Sequence, residues 1–180
     1  MDGYSRCCAV RELPQQLKTR RTVLRRIRLS DAAGWKSFNN AIARRMPEWP
    51  AVPSVVYARN EMLHYDRMWD AGTRYVYAIL ERSTGKVIGD FHVKALDRKR
   101  GKAEFGHALH PRVWGTGITY ETLEVVRKAA KRAGLRLWCK IEEDNVRSWK
   151  SIEKYGAKLK AKRVMRIGKQ RKMMRVYDLW

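Results

Sequence analysis

Apolar and polar positions recur along the chain with two distinct periods, and these periods assign most of its elements. Thr22 to Leu29 reads as a strand with Val23, Ile27 and Leu29 as its apolar members. Trp35, Phe38 and Ile42 then fall at helical spacing behind Ser30-Asp31, a candidate N-cap. Pro47, Pro50 and Pro53 break regular structure. Ser54 after them can cap a second helix carrying Val55, Ala58, Met62, Tyr65 and Trp69 on one face. A meander follows, with strands Tyr75 to Arg82, Val87 to Lys94 and Lys102 to His110. Its turns are Ser83-Thr84-Gly85-Lys86 and Asp97-Arg98-Lys99-Arg100-Gly101. Ile118, Thr122, Leu123, Val126, Ala129, Ala130 and Ala133 mark a helix that Gly134 ends. Leu135, Leu137, Cys139 and Ile141 alternate with Arg136, Trp138 and Lys140 in the next strand. Asn145 can cap a short helix that turns Val146, Trp149 and Ile152 inward and ends at Gly156. Two strands about Gly168-Lys169 complete the pattern. The order predicts one α/β domain, with a mixed, mostly antiparallel sheet of about seven strands flanked by about four helices. Residues 1–19 lack periodicity and read as an N-terminal tail or cap, leaving 20–180 as the domain.

Composition narrows the class. The 180 residues are 44% apolar, enough to bury a core, so a disordered chain is excluded. No apolar run approaches the ~18–20 residues of a membrane helix, and the first residues hold no signal-peptide core. Cys7, Cys8 and Cys139 are an odd count without metal-ligand spacing, which suits a reducing compartment. The expectation is a cytoplasmic protein with no metal and no membrane partner.

Charge adds a partner. The formal net charge is +22, and a basic excess favours phosphate polymers through counterion release. The cations concentrate at Lys18 to Arg28, Lys94 to Lys102 and Lys158 to Arg175, the last without an acid among them. Alternation through Lys158, Lys160 and Lys162 predicts one charged strand face. Such a stripe repels lysine-rich tails and polyamines and attracts RNA, DNA or a ribonucleoprotein. A basic surface that serves solubility alone stays open, as does a homodimer.

Candidate chemistry sits at Arg112-Val113-Trp114-Gly115-Thr116-Gly117-Ile118, between the third meander strand and the helix. A strand–glycine loop–helix junction presents free N–H groups and the positive end of the helix dipole, and two glycines let a phosphate come close. The loop lacks the Lys-Ser/Thr of an NTPase and the third glycine of a dinucleotide fold.

Arg112-x-x-Gly115-x-Gly117 resembles the Arg/Gln-x-x-Gly-x-Gly/Ala signature of the GNAT superfamily of acetyl-CoA-dependent N-acetyltransferases. The run Ala103-Glu104-Phe105-Gly106-His107-Ala108-Leu109-His110-Pro111 leading into it is similar to the Rim-type subfamily, which includes ribosomal-protein N-terminal acetyltransferases. Asn145-x-x-Ser148, Glu153-Lys154-Tyr155-Gly156, Ile88-Gly89 and Met46-Pro47-Glu48-Trp49-Pro50 agree with that subfamily. The resemblance runs from Thr22 to Trp180. Three departures stand out. Thr119-Tyr120-Glu121-Thr122 replaces Ala-Thr-Glu-Ala, which puts Tyr120 near the pantetheine end. Ala157 replaces a usual Phe, and Ile152 holds the place of a catalytic tyrosine in other branches.

The resemblance implies a GNAT fold with acetyl-CoA as donor. It implies that the backbone of Leu109 and His110 bonds the pantetheine arm. N–H groups of Trp114, Gly115, Thr116, Gly117, Ile118 and Thr119 would hold the pyrophosphate, with Arg112 adding charge and Asn145 contacting the pantetheine. Transfer to an amine needs a base, oxyanion stabilisation and a proton for the thiolate. Glu104 is the candidate base and Ser148 the candidate proton donor to the thiolate. His107 is the alternative base, because an unperturbed His titrates near neutrality. Each has a structural alternative: Glu104 pairing with Lys102 or Arg98, Ser148 reciprocating the Asn145 cap, and His107 packed in a core. The expected function is N-acetylation of an amine carried by nucleic acid (an aminoacyl-tRNA or a modified base) or by a ribonucleoprotein. A nucleic-acid-binding protein on an inactive scaffold, and a general protein or small-molecule acetyltransferase, are the other readings.

Overall fold

A computed structural model describes residues 11–168 and 170–179. Residues 1–10 of the expected tail, with Cys7 and Cys8, lie outside the described residues. The strands are β1 (Gln16–Lys18), β2 (Thr22–Arg26), β3 (Tyr75–Glu81), β4 (Val87–Asp97), β5 (Lys102–Leu109), β6 (Arg136–Glu142), β7 (Lys158–Ile167) and β8 (Gln170–Leu179). The helices are α1 (Ala32–Ala43), α2 (Val55–Asp70), α3 (Ile118–Arg132) and α4 (Val146–Lys154). The eight strands form one sheet in the order β1-β2-β3-β4-β5-β6-β8-β7. Every neighbouring pair is antiparallel except β5 and β6, which run parallel and are joined through α3.

The two helix layers follow from strand alternation. Val76, Ala78 and Ala108 face α1 and α2, packing with Trp35, Phe38, Ala58 and Met62. Phe91, Val93, Phe105 and Leu137 face α3, against Leu123, Val126 and Ala130, and Ile152 of α4 joins that core. Ser54 caps α2 as expected, its hydroxyl accepting the Tyr57 N–H at 3.0 Å. Asp31 does not cap α1. Its buried carboxylate turns back to accept both ends of the Arg25 guanidinium, at 2.7 and 2.8 Å, and the Arg28 N–H. Between α1 and α2, the Asn40 side chain clamps Val52 with two bonds to its backbone, and the Trp49 indole donates to Asn39.

Two further features depart from the sequence pattern. Residues 16–18, within the expected tail, pair with β2 as an edge strand, and Leu13 is buried against the core. A register shift between Leu159 and Ala161 also interrupts β7. The extra residue reverses the side-chain parity, so Lys158 and Lys162 lie on opposite faces of the sheet rather than on one. Among the described residues no helix is long and apolar enough to cross a membrane.

Gly89 lets β4 lie close to the end of β5: a Cβ there would stand 2.3 Å from the Ala108 carbonyl oxygen and 2.7 Å from Leu109. Gly89→Ala is expected to lower unfolding free energy by about 1–3 kcal/mol through overpacking, read from urea denaturation.

Candidate active site

The site begins where the sheet parts. β5 and β6 pair only at Lys102–Arg136, Ala103–Leu137 and Glu104–Trp138. Past Glu104, β5 continues to Leu109 bonded to β4 alone, while β6 continues to Glu142 bonded to β8. A wedge-shaped gap opens between them. The His110 N–H donates to the Ile88 carbonyl at 2.7 Å, which fixes the alternation along β5. Ala108 and Gly106 therefore also turn their peptides to β4, and His107 and Leu109 turn theirs into the gap. This corrects one expectation, because the His110 N–H is committed to β4. The Leu109 carbonyl is also occupied, accepting the Trp114 indole N–H at 2.7 Å. The N–H groups of His107 and Leu109 are the ones that face the gap.

At the far end of β5 lies the glycine loop. Gly115 and Gly117 have φ of 78° and 84°, the left-handed region open to glycine, and Gly117 is the residue before α3. Among the described residues no side chain caps this helix, so its first-turn N–H groups at Ile118 and Thr119 stay available for an anion. A Cβ on Gly115 would meet nothing within 4 Å, and one on Gly117 would meet only Arg21 Nη2, at 3.4 Å. The cradle fits a phosphate group. Its donors are fewer than expected, since the Thr116 N–H and hydroxyl both turn to the Val113 carbonyl and the Trp114 N–H to Pro111.

The cation at the cradle is also different. Arg112 forms a two-bond pair with Glu81, at 3.0 and 2.9 Å, and holds that carboxylate down to about 2 with help from the Thr84 hydroxyl. Its charge is neutralised on the outer end of β3. Arg21, which the sequence reading does not single out, takes the position instead. Its Nε pairs with Glu121 of α3 at 2.8 Å, leaving Nη2 beside Gly117. The Thr19 hydroxyl donates to the same carboxylate, so the β1–β2 turn is fastened to the first turn of α3.

The proposed catalytic side chains fall on opposite faces. Glu104 is buried on the α1–α2 face between Lys94 and Lys140, at 3.3 and 3.4 Å. Its partners are these lysines rather than Lys102 or Arg98, and the two ion pairs engage both of its carboxylate oxygens. His107 points to the α3 face, stacked near Phe91 and Phe105 at 6.0 and 6.4 Å. Burial pushes its pKa down to about 4 against the pull of Asp90. It is neutral at pH 7 and far from the near-neutral base expected of an unperturbed His. Ser148 and Asn145 meet as expected at the start of α4, Asn145 Oδ1 accepting the Ser148 N–H at 3.3 Å. Both line a cavity of about 120 Å³ with Leu109, Trp114, Gly115 and Thr119, so the structure brings half of the predicted donor-site residues together with Ser148. Arg147 lies over the Trp114 ring at 3.3 Å and reaches Met46 Sδ at 3.6 Å.

A second, larger cavity of about 1130 Å³ opens on the α1–α2 face. Its walls come from Trp49 of the α1–α2 loop, Asp90 and His92 of β4, Glu104 and Gly106 of β5, Lys140 of β6, and Lys172 of the β7–β8 hairpin. Ser148 borders both cavities.

A family model described as an acetyltransferase (GNAT) domain matches residues 21–158. The chain belongs to the GNAT acetyltransferase family. Among solved structures, the Microcin C7 self immunity acetyltransferase MccE, in complex with acetyl-CoA and AMP, superposes with a TM-score of 0.84 at 16% identity, covering 95% of this chain and 98% of that one. RimL, a ribosomal L7/L12 alpha-N-protein acetyltransferase in complex with coenzyme A, gives 0.77 at 17% identity, covering 94% and 97%. The ribosomal-protein-S5-alanine acetyltransferase from Vibrio fischeri gives 0.76 at 14% identity, covering 89% and 94%. These likenesses establish a shared fold. No curated protein matches the chain.

The cradle geometry separates the two arginines. Arg21→Ala is expected to weaken acetyl-CoA binding about tenfold at low salt, and Arg112→Ala severalfold less, in parallel calorimetric titrations.

Proposed function

We propose that this protein transfers the acetyl group of acetyl-CoA to an amine carried by a nucleic acid or a ribonucleoprotein. One observation carries the reading: beside the β5–β6 gap, the small cavity lined by Leu109 and by Gly115 of the glycine loop adjoins the large cavity, the two sharing His107, Asn145 and Ser148. Acetyl-CoA supplies an activated acetyl thioester. Gly115, Gly117 and the first turn of α3 hold its phosphates, and the N–H groups of His107 and Leu109 bond its arm in the gap. Asn145 and Ser148 stand at the meeting of the two cavities, where Ser148 can donate a hydrogen bond to the leaving sulfur.

Charge supports the acceptor class. Part of the cation set is paired internally: Arg25 on Asp31, Arg26 on Asp66 and Asp70, Lys162 and Arg175 on Glu143, Lys172 on Glu142. Lys18 and Arg28 remain outward near the N-terminal run, and Lys158, Arg163, Arg166 and Arg171 remain outward on the β7–β8 hairpin. Ile167, Gln170, Lys172 and Met174 of that hairpin line the large cavity. A polyanion lying on the hairpin thus brings its amine to the mouth of the acceptor site. The names of the RimL and S5-alanine neighbours favour a ribonucleoprotein among such carriers.

Thiol release from acetyl-CoA, measured with ribosomes, aminoacyl-tRNA and free amines in parallel, tests the reading. Turnover is expected on the RNA-associated acceptors, falling steeply as salt rises. Gly117→Trp is expected to abolish both acetyl-CoA binding and turnover, because the indole would fill the cradle. Turnover of free amines alone, unaffected by salt, would sink the nucleic-acid part. Absence of acetyl-CoA binding by the wild type would sink the enzyme reading.

A further inference from the structure

Two buried side-chain nitrogen or oxygen atoms lack a hydrogen-bond partner among the described residues: Arg74 Nε and His92 Nδ1. Buried polar atoms are almost always satisfied, so an unpaired one calls for a physical reason. These two belong to the same place. Both residues line the large cavity, and they flank one buried ring, Tyr65. The Arg74 guanidinium lies over that ring at 5.4 Å, and the His92 ring meets it edge-on at 5.5 Å.

Arg74 Nε is a donor on a permanent cation, and among the described residues no carboxylate stands within ion-pair distance of it. His92 Nε2 lies 3.3 Å from Asp90 Oδ2, an oxygen that also accepts the Trp35 indole N–H at 2.8 Å. The Asp90 carboxylate thus stands beside the Nε2 edge of the imidazole, and Nδ1 has no partner among the described residues. The arrangement sets an unpaired guanidinium and an imidazole flanked by a carboxylate on either side of Tyr65 at the cavity wall.

The register places this pair beside the gap. His92 is opposite Gly106, and Lys94 is opposite Glu104, on the same face of β4 and β5. Gly106 has no side chain, and a Cβ there would meet nothing within 4 Å. The floor between His92 and the β5–β6 gap is open.

From this we infer that the large cavity binds an amine that also carries an anionic oxygen group, with Arg74 holding the anion and His92, oriented by Asp90, accepting the amine proton. The inference rests on the acetyltransferase reading and names the chemistry of its acceptor. In the transfer, the amine lone pair attacks the acetyl carbonyl carbon, a C–N bond forms, and the C–S bond breaks with its electron pair going to sulfur. The surplus proton on nitrogen passes to the His92 imidazole, and the imidazolium, balanced by Asp90, returns it through water to the thiolate. The anion is a carboxylate or a phosphate. The charged and titratable groups around His92 are Asp90 and Lys94 on β4, Glu104 on β5, Glu61 and Tyr65 on α2, and Arg74 ahead of β3.

Calorimetric titration with phosphoethanolamine, β-alanine and propylamine tests the site without requiring turnover. Binding of one or both anionic amines, at least about tenfold tighter than propylamine, is expected. Phosphate or carboxylate preference identifies the anion. Arg74→Gln should remove that difference, and Arg74→Lys should keep most of it. Equal binding of all three probes, or none, overturns the inference. His92→Gln should lower kcat about a hundredfold on the accepted amine with KM little changed. An unchanged kcat, or a loss that appears in KM instead, overturns the role of His92. If the probes bind as expected and RNA-associated acceptors are not turned over, the polyanion reading fails and this site stands.

Discussion

The structure depends on a parallel pairing that stops after three residues. Joining two parallel strands needs a crossover, and α3 supplies it, so the same constraint that sets β6 beside β5 also delivers a helix N-terminus to the far end of β5. Had the ladder continued, the N–H groups of His107 and Leu109 would be bonded to β6, and the gap beside the two cavities would be closed. Parting the strands leaves polar backbone exposed inside a sheet. The gap is therefore a site by default, because an unpaired strand edge with a hydrophobic core on either side needs something to bond it.

The helix dipole and the glycine loop form only part of the proposed donor site. A turn nearly a hundred residues earlier in the chain completes it, with Arg21 and Thr19 both bonded to Glu121. Arg112, beside the loop in sequence, is instead drawn to Glu81, and its charge stabilises the scaffold. Proximity in sequence misleads here because a guanidinium settles on the nearest carboxylate in space, and a carboxylate at the end of a neighbouring strand offers two oxygens in the right plane.

The fold was legible in the sequence wherever one period ran long enough. Leu123, Val126 and Ala130 place α3 without ambiguity, and the alternation of Leu137 and Cys139 gives β6 its face. β1 was not legible, since three residues without alternation carry no period. The bulge in β7 was not legible either, because the charged run Lys158, Lys160, Lys162 reads as regular alternation through the very residue that breaks it. For the site, the glycines and the Asn145–Ser148 pair were readable as motifs. The opposition of Glu104 and His107 was readable too: three positions apart on one strand, they must face opposite ways. Asp90, His92 and Arg74 carried no motif, and only the packing of α2 on β3 and β4 brings them to one ring.

Arg147 stacks on Trp114, whose indole is itself bonded to Leu109, and the same guanidinium reaches Met46 in the α1–α2 loop. It also lines both cavities. The two cavities, proposed to hold donor and acceptor, thus share a wall to which this side chain belongs. Their affinities are not independent variables: a change that reshapes this wall for a new acceptor also alters how the donor is held. For engineering, acceptor preference is better altered from the Tyr65 side, which the donor compartment does not touch.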